Sequence, residues 1–448
     1  MQIYINENAK NILIALEKAG FQAMVVGGCV RDAVMGIHAH DWDITTNARP
    51  EQVMKIFPHV IPTGIEHGTV TVMVNTVGYE VTTFRSDGSS SDNRHPDKVE
   101  FVSTIFEDIA RRDFTFNAMF AEKDGIVVDH FGGMEDIHNG LVRFIGIADH
   151  RIIEDAHRMM RAIRFASRFG FDIANDSWVA IIRNANLINF ISRERIRDEI
   201  MNTICTEYST NGIQMWHETG LLALILPAVE SCYGVKQNNP HHIYNVGEHI
   251  AESVGSDDVR DKRVALAMLL HDIGKVTTKT TGEDGIDHFL GHGQVSARVC
   301  IDIMRGLRFD NSTIEMVHTL VLHHNDAIHP NGRSVRKWLN KIGLEAFNLL
   351  MQVRLADASA QNPDEYEASA IEVREILKVL AQVVEENQAF KVADLDIDGE
   401  ILAGIGIPRS RVMGEILNEM MEMVISYPEL NKREILIQMA KDFWVQGQ

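Results

Sequence analysis

An α+β fold is expected, with a mixed α/β region up to about residue 148 and helices from there to the end. Three observations predict it. The apolar run Ala23–Val26 enters a Gly27–Gly28 turn and a short helix. GTVTVMVN (Gly68–Asn75) and YEVTTFR (Tyr79–Arg85) are rich in β-formers and separated by a brief turn, which predicts a hairpin. From about Asp149 the pattern turns helical and stays so.

Taken in order, residues 6–19 have the spacing of an amphipathic helix with Ile12, Leu13 and Leu16 inward. Glycines at 27 and 28 let the backbone approach a ligand closely, and a helix starting near Val30 would aim free N–H groups and Arg31 at the same place, a seat for phosphates. Asp41 and Asp43 follow in DWD; on an extended segment they project from one face and can hold one or two Mg2+ ions against a triphosphate. Pro50–Phe57 reads as a short helix. Glu80, on the second hairpin strand, is either a third carboxylate beside that pair or a solvated strand position. Ser86–Pro96 is a polar loop without core-forming residues, and VEFVS after it is a strand. In RRDFTFNA, the paired arginines Arg111 and Arg112 are read as preceding an apolar helix, either as a phosphate or base clamp or as an ordinary solvated helix start. Ile126–Gly133 ends the α/β region.

In EDAHRMMRAIRF, Asp155, Arg158, Arg161 and Arg164 stand three apart and form a slowly rotating stripe on an expected helix. Such a stripe is a salt-bridged surface or a base reader: a carboxylate accepts from the exocyclic amine of cytosine or adenine while an arginine donates to the adjacent ring nitrogen. Further on, His249, His271–Asp272 and Asp357 occur in the order His, His–Asp, Asp on what read as successive helices, suitable ligands for a divalent metal, with His292, His323 and His324 as spare candidates. Asp394–Gly399 (DLDIDG) imitates the start of a calcium loop, but Ile405 stands where a bidentate Glu is required, so a helix-capping turn is expected. Residues 401–448 read as amphipathic helix interrupted at Pro408 and Pro428.

The chain has 448 residues, 45% hydrophobic and 24% charged, enough for several domains of ordinary globular composition. Neither a signal peptide nor an apolar stretch of membrane-spanning length is read, and four scattered cysteines without a CxxC pair fit a reducing cytoplasm. A net charge of −20 argues against a general nucleic-acid-binding surface, yet residues 151–200 hold nine arginines against seven acids while residues 361–400 hold eleven acids against three bases. A nucleic-acid partner therefore fits a local arginine stripe.

Together GGCVRD, DWD, RRDFTFNA, EDAHRMMRAIRF and ISRERIRDE, in this order, resemble the class II tRNA nucleotidyltransferases, the CCA-adding enzymes, in their bacterial form with an HD domain. The resemblance is dense over residues 21–200, with LLHDIGK and the DLDIDGEIL tail extending it more loosely. It implies a polymerase-β-like head (1–148), a helical neck and body (149–235), an HD domain (236–360) and a helical tail (361–448). It also implies that Asp41 and Asp43, with Glu80 as a third member, bind catalytic Mg2+; that Gly28, Arg31 and Arg112 contact the triphosphate; and that Asp155 and Arg158 read the base, supported by Arg161 and Arg164. tRNA, CTP and ATP are the implied partners, with a second divalent metal at the HD site. In this family the loop corresponding to Ser86–Pro96 serves the switch from C to A addition; here it is serine-rich, lacks the usual aromatic and keeps only Arg94 and His95 as basic residues. Rival readings are a bacterial poly(A) polymerase, a CC- or A-adding specialist, and an HD phosphohydrolase whose head only binds RNA.

Overall fold

The computed structural model describes residues 1–87 and 99–446, and the chain divides into two compact units, Met1–Pro227 and Ala228–Gln448. In the first, α1 (Glu7–Lys18) is capped by Asn6, whose side chain accepts from the Asn8 and Ala9 amides, and it buries Ile12, Leu13 and Leu16 as its periodicity predicts. β1 (Ala23–Val26) is buried throughout and runs into Gly27, where φ is +81°, a left-handed value that favours glycine. α2 (Gly28–Val34) begins two residues before Val30.

Next come β2 (Ile44–Thr46), α3 (Pro50–Ile56), β3 (Val60–Gly64) and the expected antiparallel hairpin of β4 (Thr69–Val74) and β5 (Val77–Thr83). β6 (Arg85–Asp87) pairs with β7 (Val99–Phe101). Most of the serine-rich loop, with Arg94 and His95, lies outside the described residues. After α4 (Ile105–Ala110), the short β8 (Phe120–Ala121) and β9 (Val127–Val128) complete a seven-stranded sheet of order β3-β4-β5-β2-β1-β8-β9. The β2–β5 pair is parallel within this otherwise antiparallel sheet, with Ile44 opposite Val81. That register puts Asp43 beside Glu80, one residue earlier on each strand, with side chains toward the same face.

Two expectations need correction here. The arginines of RRDF follow α4 rather than precede a helix: Arg111 is its C-cap, and Thr115–Asn117 is a single 3-10 turn. The EDAHRMMRAIRF segment is likewise not one helix. α5 (Gly133–His138) and β10 (Leu141–Val142) lead to α6 (Ala148–Glu154), which stops at Asp155 with φ −149°, and α7 (His157–Phe169) then starts afresh. The break is held by Asp155 itself, whose Oδ1 accepts from the His157 amide at 3.1 Å. β11 (Asp172–Ile173) pairs with β10, and α8 (Asn175–Asn184), α9 (Arg193–Ile204), α10 (Ser209–Glu218) and α11 (Leu221–Ile225) close the unit around the fully buried Trp216.

α12 (Pro227–Glu230) marks the division. The second unit is helical apart from the two-residue strands β12 (Thr280–Thr281) and β13 (Asp287–His288). Its helices are α13 (Val246–Val254), α14 (Lys262–Leu270), α15 (Lys275–Thr278), α16 (His292–Gly306), α17 (Asn311–His323), α18 (Gly332–Ser359, broken at Gly343) and α19 (Pro363–Glu385). The tail has its own core, built from Leu402, Ile416, Met420, Val424 and Leu436 on α20 (Gly399–Gly404), α21 (Arg411–Ser426) and α22 (Arg433–Gln446). The DLDIDG turn is the expected cap: Asp398 accepts from the Glu400 and Ile401 amides, each at 3.0 Å. Among the described residues no helix is long and apolar enough to cross a membrane.

Candidate active site

In the first unit a cavity of about 420 Å³ is lined by Asp43 and Glu80 from the sheet and by Arg112, Asp155, Arg158 and Arg161 from the segments after it. Burial pushes the Asp43 carboxyl up to about 6; Arg112 pulls it down, while Glu80 and Asp41 push it up again. Asp41 is exposed and near enough for its charge to be felt at Asp43. Three carboxylates, one of them half-buried, repel each other unless a cation stands among them, so this donor set fits Mg2+. Against the turn lies Arg112, and a Cβ at Gly27 would come within 2.8 Å of its Nη1. The glycine that the geometry requires is thus Gly27; Gly28 opens α2 with an ordinary φ.

Among the described residues Gly28, Arg31, Asp41 and Arg164 do not line this cavity. Arg31 is buried, paired with Asp32 at 2.6 Å, and stacked 5.1 Å from the ring centroids of both Phe165 and Phe169. Its Nη1 donates to Asn117 Oδ1 at 2.7 Å, Asn117 Nδ2 donates to Asp113 Oδ1 at 3.0 Å, and Arg161 Nε donates to Asp113 Oδ2 at 2.7 Å. This relay ties α2 to the arginine stripe. Burial works against the Asp113 charge, but Arg161 and Asn117 outweigh it and hold the carboxyl below the usual range.

The expected Asp155–Arg158 partnership is not a direct pair. Arg158 donates to the Arg151 and Arg111 carbonyls, each at 3.0 Å, and to Glu154 at 2.8 Å. Asp155 Oδ2 instead accepts from Arg195 Nη2 at 2.9 Å, and the same nitrogen lies 3.0 Å from His157 Nδ1. Arginine only donates, so His157 Nδ1 accepts and its proton sits on Nε2, 3.3 Å from Glu199 Oε1. Burial, with the charges of Arg195, Arg161 and Arg164, lowers the imidazole to about 3. Arg164 also pairs with Glu199, at 2.7 Å. Asp113 and Arg195 were missed as site residues; RRDF and ISRERIRDE contain them, but no spacing rule marks them out there.

In the second unit His249 (α13), His271 and Asp272 (after α14) and Asp357 (α18) converge as expected. His249 Nε2 lies 2.9 Å from Asp357 Oδ1 and 3.2 Å from His271 Nε2, and His271 Nε2 lies 3.2 Å from Asp272 Oδ2. The helices are not successive, since α15 to α17 intervene. His292 and His324 join the cluster from the start of α16 and the end of α17, whereas His323 turns to Asp326 at 2.7 Å. Burial works against a charge on His271, but Asp272 and Asp357 outweigh it and raise the imidazole to about 10. Buried carboxylates that draw positive charge onto a histidine fit a divalent metal, and neutral imidazoles suit a transition ion better than Mg2+.

Comparisons with known proteins agree with this layout. Residues 23–143 match the family of the Poly A polymerase head domain, 170–233 the probable RNA and SrmB-binding site of polymerase A, and 241–362 the HD domain. A CCA-adding enzyme of Limosilactobacillus reuteri is 44% identical over 217 residues, 48% of this chain and 54% of that protein, so at this level the chain spans about half the length of the curated relatives it matches. The CCA-adding enzyme of Ligilactobacillus salivarius is 29% identical over 97% of this chain and 96% of its own. The crystal structure of the Bacillus stearothermophilus CCA-adding enzyme in complex with CTP superimposes with a TM-score of 0.74 at 28% identity, covering 98% of each chain.

Proposed function

The chain belongs to the class II tRNA nucleotidyltransferase family, the CCA-adding enzymes that carry an HD domain, and we propose that it adds C, C and A to the 3′ end of tRNA from CTP and ATP, releasing pyrophosphate. One observation carries this reading: the β2–β5 register that sets Asp43 beside Glu80, at a cavity also lined by Asp155, Arg158 and Arg161. A carboxylate cluster for metal and an acid–arginine set for a base then face the same space.

Asp41, Asp43 and Glu80 would hold Mg2+, which when bound neutralises the triphosphate and favours attack of the tRNA 3′ hydroxyl on the α-phosphorus. Arg112, resting against the Gly27 turn, would meet the triphosphate with a planar fork. Asp155 would accept from the exocyclic amine of cytosine or adenine, and Arg158 would turn one N–H from the carbonyls it now binds toward the adjacent ring nitrogen. Uracil and guanine present the opposite pattern at those atoms, so selection needs no template. Arg161 would be held toward the nucleotide by Asp113, and Arg31 would act as a positioning residue through Asn117. Arg164, fixed by Glu199, would support the same helix.

The arginine-rich helices and the match over residues 170–233 support a tRNA bound through phosphates and shape rather than sequence. A division into head (1–148), neck and body (149–235), HD domain (236–360) and tail (361–448), working in the cytoplasm, completes the proposal. The His–Asp cluster favours a second activity, metal-dependent hydrolysis of a phosphate ester. The test is to supply Mg2+, CTP and ATP with tRNA transcripts ending before C, after CC, or complete, and to sequence the products. Addition that stops at CCA is expected. Long A tails would establish the poly(A) polymerase instead, arrest at CC or addition of A alone would establish a specialist, and no addition would refute the reading.

A further inference from the structure

Arg195 and Glu199 stand four apart on α9, the spacing at which an arginine and a glutamate on one helix ordinarily pair. Here each goes elsewhere. Arg195 Nη2 donates to Asp155 Oδ2 at 2.9 Å, and Glu199 Oε2 accepts from Arg164 Nε at 2.7 Å. The ring of His157, at the start of α7, stands against both: Nδ1 lies 3.0 Å from Arg195 Nη2, and Nε2 lies 3.3 Å from Glu199 Oε1. His157, Asp155 and Arg195 all line the cavity of the first unit.

The bonding capacities of these groups leave them little freedom. Arg195 Nη2 carries two hydrogens, and Asp155 and His157 take one each. Nδ1 accepts only while the ring is neutral. Burial, with the charges of Arg195, Arg161 and Arg164, keeps it so and lowers the imidazole to about 3. Asp155 has both oxygens engaged by the protein, Oδ1 by the His157 amide at 3.1 Å and Oδ2 by Arg195. Each oxygen keeps a further lone pair. His157 thus fixes the carboxylate twice, directly through its amide and indirectly through its ring. A side chain at 157 without an acceptor would leave one Arg195 hydrogen unpaired, and Glu199, one helical turn away, would draw the guanidinium off Asp155.

With Asp155 taken as the acceptor for the base, we propose that His157 is a specificity-determining positioning residue. Its neutral ring separates Arg195 from Glu199, reserves the guanidinium for Asp155, and so holds that carboxylate where it accepts an exocyclic amine and repels a carbonyl oxygen. The atom that matters is the acceptor Nδ1, neither the volume of the ring nor Nε2. The ligand so favoured is a nucleoside triphosphate whose base presents an amine, as cytosine and adenine do, over one that presents an oxygen there, as uracil does.

The test measures kcat/KM for CTP and for UTP on tRNA ending before C, with Mg2+ and the full chain. Asparagine at 157 sets a carbonyl oxygen near the place of Nδ1, glutamine sets an amide nitrogen near that of Nε2, and leucine fills the volume with neither. His157→Asn should keep the preference for CTP within about twofold, whereas His157→Gln and His157→Leu should each lower it about fivefold, in the range of couplings within one hydrogen-bond network. Arg195→Leu should lower it as far, and His157→Leu added to it should change it no further, because one path carries both effects. The preference is a ratio of two rates on the same folded molecules, so an unfolded fraction cancels and lost stability alone leaves it unmoved. A preference that His157→Gln or His157→Leu keeps, one that His157→Asn loses as fully, or losses that add in the double variant would overturn the proposal. Should His157→Leu not fold, the contrast between asparagine and glutamine decides alone. A wild type that adds C but shows no preference for CTP would refute the base-reading role of Asp155, and the proposal with it.

Discussion

His157 is the most informative titrating group in the first unit, because it is buried as a neutral ring among cations. It faces Arg195 and Glu199 from α9 and Asp155, Arg161 and Arg164 from its own segment, and its imidazole is lowered to about 3. In the unfolded chain the same side chain takes up a proton near pH 6.5. Protonation therefore favours the unfolded state, and the stability that neutral His157 allows is lost as pH falls from about 6.5 toward 3. At pH 5 the unfolded ring is about 1.5 units below its titration point while the folded ring is still neutral, which amounts to about 2 kcal/mol at 1.36 kcal/mol per unit. The perturbation is His157→Gln, which keeps a donor toward Glu199 but cannot be protonated. Urea denaturation at pH 7.5 and 5.0, followed by circular dichroism and tryptophan fluorescence, should show a loss about 2 kcal/mol smaller in the variant than in the wild type. Glu199 titrates in both proteins, so the comparison removes its direct share. Equal losses would refute the assignment of a neutral His157.

Gly27→Ala should destabilise by about 1–2 kcal/mol through its left-handed φ and should raise KM for both nucleotides, since the new Cβ would displace Arg112; chemical denaturation and initial rates measure the two effects. Asp113→Asn removes the charge that holds Arg161, and because that arginine is about one-third exposed the expected cost is about 2 kcal/mol rather than the 3–5 of a fully buried pair, checked by urea denaturation. Asp155→Ala should erode discrimination against UTP by at least about tenfold in kcat/KM, the value of one lost polar base contact, in competition assays with CTP.

Much of the head was legible because its signals are local. Ala23–Val26 before two glycines, and two β-rich runs separated by a short turn, lead to β1, α2 and the β4–β5 hairpin by backbone preference alone. β3 and β8 were not read: β3 has a bulge between Ile61 and Gly64, and β8 is two residues long. Regular spacing concealed the break at Asp155, because helical periodicity continues across it while the Asp155 side chain caps the next turn instead of facing outward. Arg31 looked like a phosphate ligand from its place after the glycines; only the fold could reveal the Phe165 and Phe169 rings packed against it. His292 and His324 lie outside the His, His–Asp, Asp series and were legible only as spare candidates, like His323; the fold separates them, because both face Asp272 while His323 turns to Asp326.

Nucleotide addition is assigned to the carboxylates at the β2–β5 edge and not to the His–Asp cluster. The most direct measurement follows labelled CTP incorporation into tRNA lacking CCA by the wild type, by Asp43→Ala and by His271→Ala with Asp272→Ala, each checked for folding by circular dichroism. Asp43→Ala should lose incorporation by at least about a thousandfold, the scale of losing a metal-holding group, while the His271 and Asp272 changes should leave it near the wild-type rate. Incorporation that survives Asp43→Ala, or disappears with the His–Asp cluster in a folded protein, would contradict that assignment.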